Sequence, residues 1–217
     1  MTEPHPEMPV PEHPAPEKGE PPTMHVPRFY LRQRITLMVN QYELVAAEAD
    51  GSEGPLLAFA QQKRMAFKEQ VTFYADTAKT QPVFSFRARK RLDLGSGYDV
   101  FDADGQPLGF FRKEFGKSLL RSSWTLTARD VQAFGQERSP FIAVLRRVWE
   151  FIPVLGEFWV PFVFHFDFTD TATGQPVMSS ERKWAIRDRY TVDVPDARLD
   201  FRVAAAMAVA LDALQSR

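Results

Sequence analysis

Apolar and polar residues alternate where the body of the chain begins. Phe29, Leu31, Ile35, Leu37 and Val39 are interleaved with Tyr30, Arg32, Arg34, Thr36 and Asn40, the two-residue period of a half-buried strand. Leu120, Ser122, Trp124, Leu126 and Ala128 against Arg121, Ser123, Thr125 and Thr127 give the same reading, as do Tyr190, Val192 and Val194 against Thr191 and Asp193. Strands are therefore expected from residue 28 to about 195. Two stretches break this period. After Ser139-Pro140, an N-cap and first helical residue, Phe141, Val144, Leu145, Val148, Phe151, Ile152 and Leu155 recur at helical spacing, with Arg146, Arg147 and Glu150 on other faces. This predicts an amphipathic helical insertion over about 139–158. Glu150, Pro153, Gly156, Glu157 and Pro161 interrupt it, whereas a membrane span needs about 20 largely uncharged residues. From Phe162 to Phe168 strand alternation returns, with Phe162, Phe164, Phe166 and Phe168 on one face and Val163, His165 and Asp167 on the other.

The last period change predicts a helix from about 196 to 215, capped by Pro195-Asp196. Its residues Val203 to Leu211 are uninterruptedly apolar and mostly Ala. A helix apolar on every side must be surrounded. At 1.5 Å per residue this run is too short for a bilayer, and its small side chains suit a helix threaded through a narrow barrel of strands. A turn also recurs. Asp76-Thr-Ala-Lys-Thr-Gln-Pro-Val83 precedes Arg89-Lys90, Asp102-Ala-Asp-Gly-Gln-Pro-Leu108 precedes Arg112-Lys113, and Asp170-Thr-Ala-Thr-Gly-Gln-Pro-Val177 precedes Arg182-Lys183. Each copy reads as strand, Asp-led turn, Gln-Pro, strand, a repeated hairpin within one sheet system.

Composition bounds what such a sheet does. The chain has 27 Lys plus Arg against 28 Asp plus Glu, so bulk charge offers no argument for nucleic acid. The absence of Cys excludes disulfides, thiolate metal sites and a cysteine nucleophile, and fits a reducing, cytoplasmic setting. No charged segment followed by an apolar one near Met1 reads as a secretory signal. Residues 1–27 hold nine of the 17 Pro and five of the 28 acids but a single base, Lys18. They are expected to form a disordered, partly polyproline-II tail, taking His5, His13 and His25 with them. One folded domain then spans 28–217.

The order of these segments resembles the tubby C-terminal-like superfamily, specifically its LURP-one-related and phospholipid-scramblase-like branch. The resemblance is carried by Phe29-Tyr-Leu-Arg-Gln-Arg34 as a first strand, by Tyr98-Asp-Val-Phe-Asp-Ala-Asp-Gly-Gln-Pro-Leu-Gly109 as a hairpin, and by Arg189-Tyr190 followed by the Ala-rich helix. It covers about residues 28–215. It implies a mainly β (α+β) fold, a closed antiparallel barrel of about twelve strands around the C-terminal helix, with the insertion added. It further implies a non-enzymatic binding or scaffold module without a cofactor. Tubby proteins bind phosphoinositides and scramblases act at membranes, which makes an anionic phospholipid surface one candidate partner.

Sharper chemical motifs fail on their spacing. Gly116-Lys117-Ser118 lacks the earlier Gly of a phosphate loop, since Phe111 stands there. Aligning Asp102-Ala-Asp-Gly105 with a calcium loop puts Val100 and Phe111 where carboxylates are needed. Gly95-Ser-Gly97 has no third Gly. For catalysis the body offers only His165, which shares a strand face with Asp167 as a conceivable acid–base pair; a solvated outer face is the plainer reading. Asp188 and Asp193 read as ordinary surface ion pairs. The candidate anion-binding residues are the bases after the repeated turns: Arg87, Arg89 and Lys90; Arg112 and Lys113; Arg182 and Lys183. If the hairpins pack side by side, these converge on one surface, although Asp93, Asp99, Glu114, Glu181 and Asp188 are interspersed. Phe141, Leu145, Trp149, Ile152 and Trp159 of the insertion are the candidate contacts with a membrane, a protein partner or a second copy of the chain.

Overall fold

The computed structural model describes residues 22–35, 39–63, 70–89, 97–114, 122–138, 165–183 and 189–215. Twelve strands follow in order: β1 (Arg28–Ile35), β2 (Val39–Ala47), β3 (Glu53–Lys63), β4 (Gln70–Tyr74), β5 (Pro82–Ala88), β6 (Tyr98–Asp102), β7 (Pro107–Glu114), β8 (Ser123–Ala128), β9 (Val131–Glu137), β10 (His165–Asp170), β11 (Pro176–Lys183) and β12 (Arg189–Asp193). Every strand pairs antiparallel with its sequence neighbours, and β12 returns to β1 with Phe29 opposite Val192 and Leu31 opposite Tyr190. The barrel is closed, so among the described strands none has a free edge.

Alternation decides what faces the interior. In β1 Phe29 and Leu31 are fully buried beside Gln33, while Arg28, Arg32 and Arg34 lie on the outer face. Further round, Phe73 stacks on Phe84 at 4.2 Å, Phe86 meets Phe111 edge-on at 5.6 Å, and Tyr98 stacks on Phe111 at 5.4 Å. Helix α1 (Phe201–Gln215) occupies the middle, and Val203 to Ala210 are wholly buried. Such a helix has no polar face because the barrel surrounds it. Its Ala residues allow close approach, and Gly109 on β7 extends this economy of space: a Cβ there would sit 2.7 Å from the Thr127 carbonyl oxygen and 3.1 Å from Val203.

One buried polar residue, Asp212, follows the apolar run of the helix. It accepts hydrogen bonds from Tyr190 Oη at 2.6 Å and Tyr42 Oη at 3.1 Å, while Gln33 Nε2 donates to Tyr42 Oη at 3.2 Å. Burial, then the neighbouring Asp212 carboxylate, raises the Tyr42 hydroxyl well above its ordinary pKa. The outer face is a charge mosaic. Arg28 pairs with Asp193, Arg32 with Glu53 and Glu43, and Arg138 with Asp167 at 2.6 Å and Glu181 at 2.7 Å. An apolar interior under a charged exterior inverts the polarity of a membrane-spanning barrel. Among the described residues no helix is long and apolar enough to cross a membrane.

Several expected boundaries move. The single strand expected over residues 29–39 is two: Ile35 pairs with Asn40, so the chain doubles back between β1 and β2 while its alternation continues. The expected helix start near Asp196 is a separate turn, in which Asp196 accepts the Arg198 N–H at 2.9 Å and Leu199 N–H reaches the Asp196 carbonyl. Asp200 is the true cap, taking the Arg202 N–H on its carboxylate at 2.8 Å and the Val203 and Ala204 N–H groups on its carbonyl. Residues 22–27, assigned to the expected tail, lie hydrogen-bonded across this end of the barrel. His25, assigned to that tail, donates from Nε2 to the Val194 carbonyl at 2.9 Å. The helical insertion expected over 139–158 lies outside the described residues.

Candidate functional site

The repeated turns are as the spacing predicts, and all three stand at the same end of the barrel. Asp102 takes the Asp104 and Gln106 N–H groups on its carboxylate at 3.0 and 2.8 Å, and Asp170 takes those of Ala172 and Thr173 at 2.8 and 3.0 Å. Asp76 holds Thr80 through N–H and hydroxyl and also the Gln81 N–H. Gly105 and Gly174 supply the positive φ, 79° and 72°, on which these turns close. Backbone donors, together with Arg198 at Asp170, hold the Asp170 carboxyl below its ordinary pKa, and the Thr80 hydroxyl leads the same effect at Asp76. The six connections at this end, 48–52, 75–81, 103–106, 129–130, 171–175 and 194–200, carry seven acids against three bases.

Of the candidate bases, the structure gathers some and separates others. Arg87, Arg89 and Arg112 share the outer face of β5–β7. Arg89 grips Asp99 through Nε at 3.0 Å and Nη2 at 2.7 Å, with its guanidinium 3.8 Å above the Phe110 ring. Arg87 lies 4.3 Å above Phe101. Arg112 bonds Glu114 at 2.9 Å, and the Thr125 hydroxyl donates to the same carboxylate. Lys113 faces the other way: opposite Trp124 in register, its Nζ lies 5.9 Å from the Trp124 ring centroid. Arg182 likewise stands opposite Tyr190, on the inner face of β11, four strands beyond β7. A single convergent surface of all three clusters therefore does not form among the described side chains, because adjacent positions on a strand point to opposite faces. Lys183 ends β11, and Lys90, Phe141, Leu145, Trp149, Ile152 and Trp159 lie outside the described residues.

A cleft of about 310 Å³ runs from Arg89 and Phe110 to the rim of the barrel, where Thr23, Arg129, Arg198 and Asp200 line it. Arg198 bridges Asp196 and Asp170, each at 2.7 Å, and these carboxylates raise its pKa. Sequence reading missed Arg129 and Arg198; the signal was the two-residue turn Arg129-Asp130 between alternating strands and the spacing of Arg198 from Asp196. A second hollow, about 380 Å³, contains Arg138 and Asp167. His165 and Asp167 do share the outer face of β10, but Asp167 is clasped by Arg138, and His165 Nδ1 lies 3.8 Å from Glu181. The expected acid–base alternative thus finds its carboxylate engaged elsewhere. Among the described residues no group of three or more acids or histidines has metal-site geometry.

A closed antiparallel barrel threaded by an apolar helix, with ion pairs across its outer face, defines a tubby-like barrel module. The family model described as LURP-one-related matches residues 57–212, and the chain belongs to that family, which is related to the tubby-like superfamily. The matched span begins inside β3; β1 and β2, which precede it, complete the barrel wall. No curated protein matches the chain.

Proposed function

We propose that this chain is a non-enzymatic binding barrel that meets an anionic phospholipid surface with the end opposite its acidic turns. One observation carries the reading. In an up-and-down barrel the connections alternate between ends, and the strand ends facing away from the Asp-led turns are those flanking residues 36–38, 64–69, 90–96, 115–121, 139–164 and 184–188. The sequence of these segments holds nine bases against five acids, and it includes Lys90 together with Phe141, Leu145, Trp149, Ile152 and Trp159. Opposed charge at the two ends of one barrel orients it toward a negative surface. Aromatic residues beside the bases suit the headgroup boundary.

Co-sedimentation of the whole chain with neutral and with anionic vesicles, at low and high salt, tests this. The expected result is pelleting with anionic vesicles that falls at high salt, as exposed charges are screened, and falls again in a Trp149→Ala/Trp159→Ala variant. Failure to pellet under every condition would overturn the reading and leave the insertion to a protein partner or a second copy.

A further inference from the structure

Residues 22–27 cross the barrel rim over the start of α1, held by hydrogen bonds to three places in the sequence: residue 129, residue 194 and residues 200–202. Met24 N–H donates to the Asp200 carboxylate at 3.0 Å, and Phe201 N–H returns a bond to the Met24 carbonyl at 2.6 Å. Arg202 Nη2 reaches the Pro22 carbonyl at 3.1 Å, and Arg129 Nη1 reaches the Thr23 hydroxyl at 2.9 Å. At the far side His25 bonds the Val194 carbonyl, and Val194 N–H bonds the Pro27 carbonyl at 2.8 Å. Apart from Val26, which packs on the core, the segment buries little: Met24 is 50% exposed, and His25 and Pro27 are exposed. Its hold is therefore mostly polar. Each such bond has a modest net value against solvent, whereas each ordered residue loses backbone freedom.

Arg129 occupies the left-handed region at φ 41°, a conformation that Gly or Asn adopts at less cost in a two-residue hairpin turn. Its guanidinium stands at the rim, where it meets Thr23. Together Arg129, Arg202, Phe201 N–H and Val194 N–H are donors spaced along the rim, and they take the acceptors of one extended, proline-flanked chain.

We propose that this rim is a peptide-docking seat whose resident occupant, the chain's own residues 22–27, is a releasable latch with Arg129 as its catch. Opening uncovers the N-terminus of α1 and the Thr23 side of the cleft while leaving the barrel intact. Residue-resolved amide hydrogen exchange on the whole chain tests it, with Met24, Val194 and Phe201 as reporters because each N–H bonds across the latch. In the unaltered protein these three should exchange at least about tenfold faster than the β1–β2 ladder yet slower than unstructured chain. Arg129→Gly, which suits the turn's backbone, and separately Thr23→Val, should speed the three by a further tenfold or so and leave the ladder unchanged. Reporters that exchange only with the ladder in all three proteins would make the segment a permanent part of the wall. Reporters as fast as unstructured chain in the unaltered protein would mean that the seat is not filled. Either result overturns the latch.

Discussion

Asp170 shows how a single residue joins turn, charge and stability. Its side chain is 3% exposed, it takes two backbone N–H groups and an Arg198 guanidinium, and these partners favour its ionised form. Asp76, Asp196 and Asp50 are lowered in the same sense by the donors of their own turns. A carboxyl whose pKa is lower folded than unfolded stabilises the fold at pH values above the unfolded value and loses that contribution as pH falls through the folded one. These turns ordinarily titrate from 3.8, so the thermal midpoint should be flat from neutral to about pH 4.5 and fall below 3.8. A scanning-calorimetry series checks this; a midpoint already falling between pH 7 and 5 would contradict it, and Asp170→Asn should shallow the acid limb. The Asp212 cluster is the interior counterpart. Tyr190→Phe removes one donor to its carboxylate and should cost about 1–3 kcal/mol in urea unfolding. The Asp-led turns were legible in the sequence because each side chain bonds its own neighbours. The Asp212 cluster was not, since Tyr42, Tyr190 and Gln33 reach it from three strands and no local pattern joins them.

Elements were legible where period and burial agree. The alternation of β1, β8, β10 and β12 and the run of Ala in α1 follow from having one or every face inside. Boundaries were not legible where the chain reverses without breaking its alternation, as between Ile35 and Asn40, or where two aspartates compete to cap one helix, as Asp196 and Asp200 do. The docking of residues 22–27 was invisible for another reason: its partners lie more than 100 residues away. Close helix–wall contact is the feature of α1 most open to a direct probe. Gly109→Ala would bring a Cβ to 2.7 Å from the Thr127 carbonyl oxygen, so backbone must shift. The expected cost is about 1–3 kcal/mol, and an equilibrium unfolding curve that matches the parent would show that β8 and α1 together leave room at position 109. Gly135→Ala, whose Cβ would meet the Phe168 ring at 2.3 Å, should behave alike.

At the scale of the whole molecule, topology gathers an excess of acids at one end of a nearly neutral chain's barrel. Alternating connections sort the acids of the Asp-led turns to one end and place the strand ends that flank the basic and aromatic segments at the other. The sequence contained both sets of residues, but only the strand order shows which strand ends flank each. The repeated bases after each turn suggested a shared surface; the register divides them instead between the outer wall, at Arg87, Arg89 and Arg112, and the inner face, at Lys113 and Arg182. Binding by the basic end, and not merely by charge, is the central claim, and the absence of native cysteine permits a direct test. Two single-cysteine variants, Ala172→Cys in an Asp-led turn and Gln136→Cys near the opposite end of β9, would each carry a fluorophore, and anionic vesicles would contain a lipid-borne quencher. The expected result is quenching at position 136 and little at position 172, with both labels recovering at high salt. Equal quenching of the two, or stronger quenching at 172, would contradict the orientation.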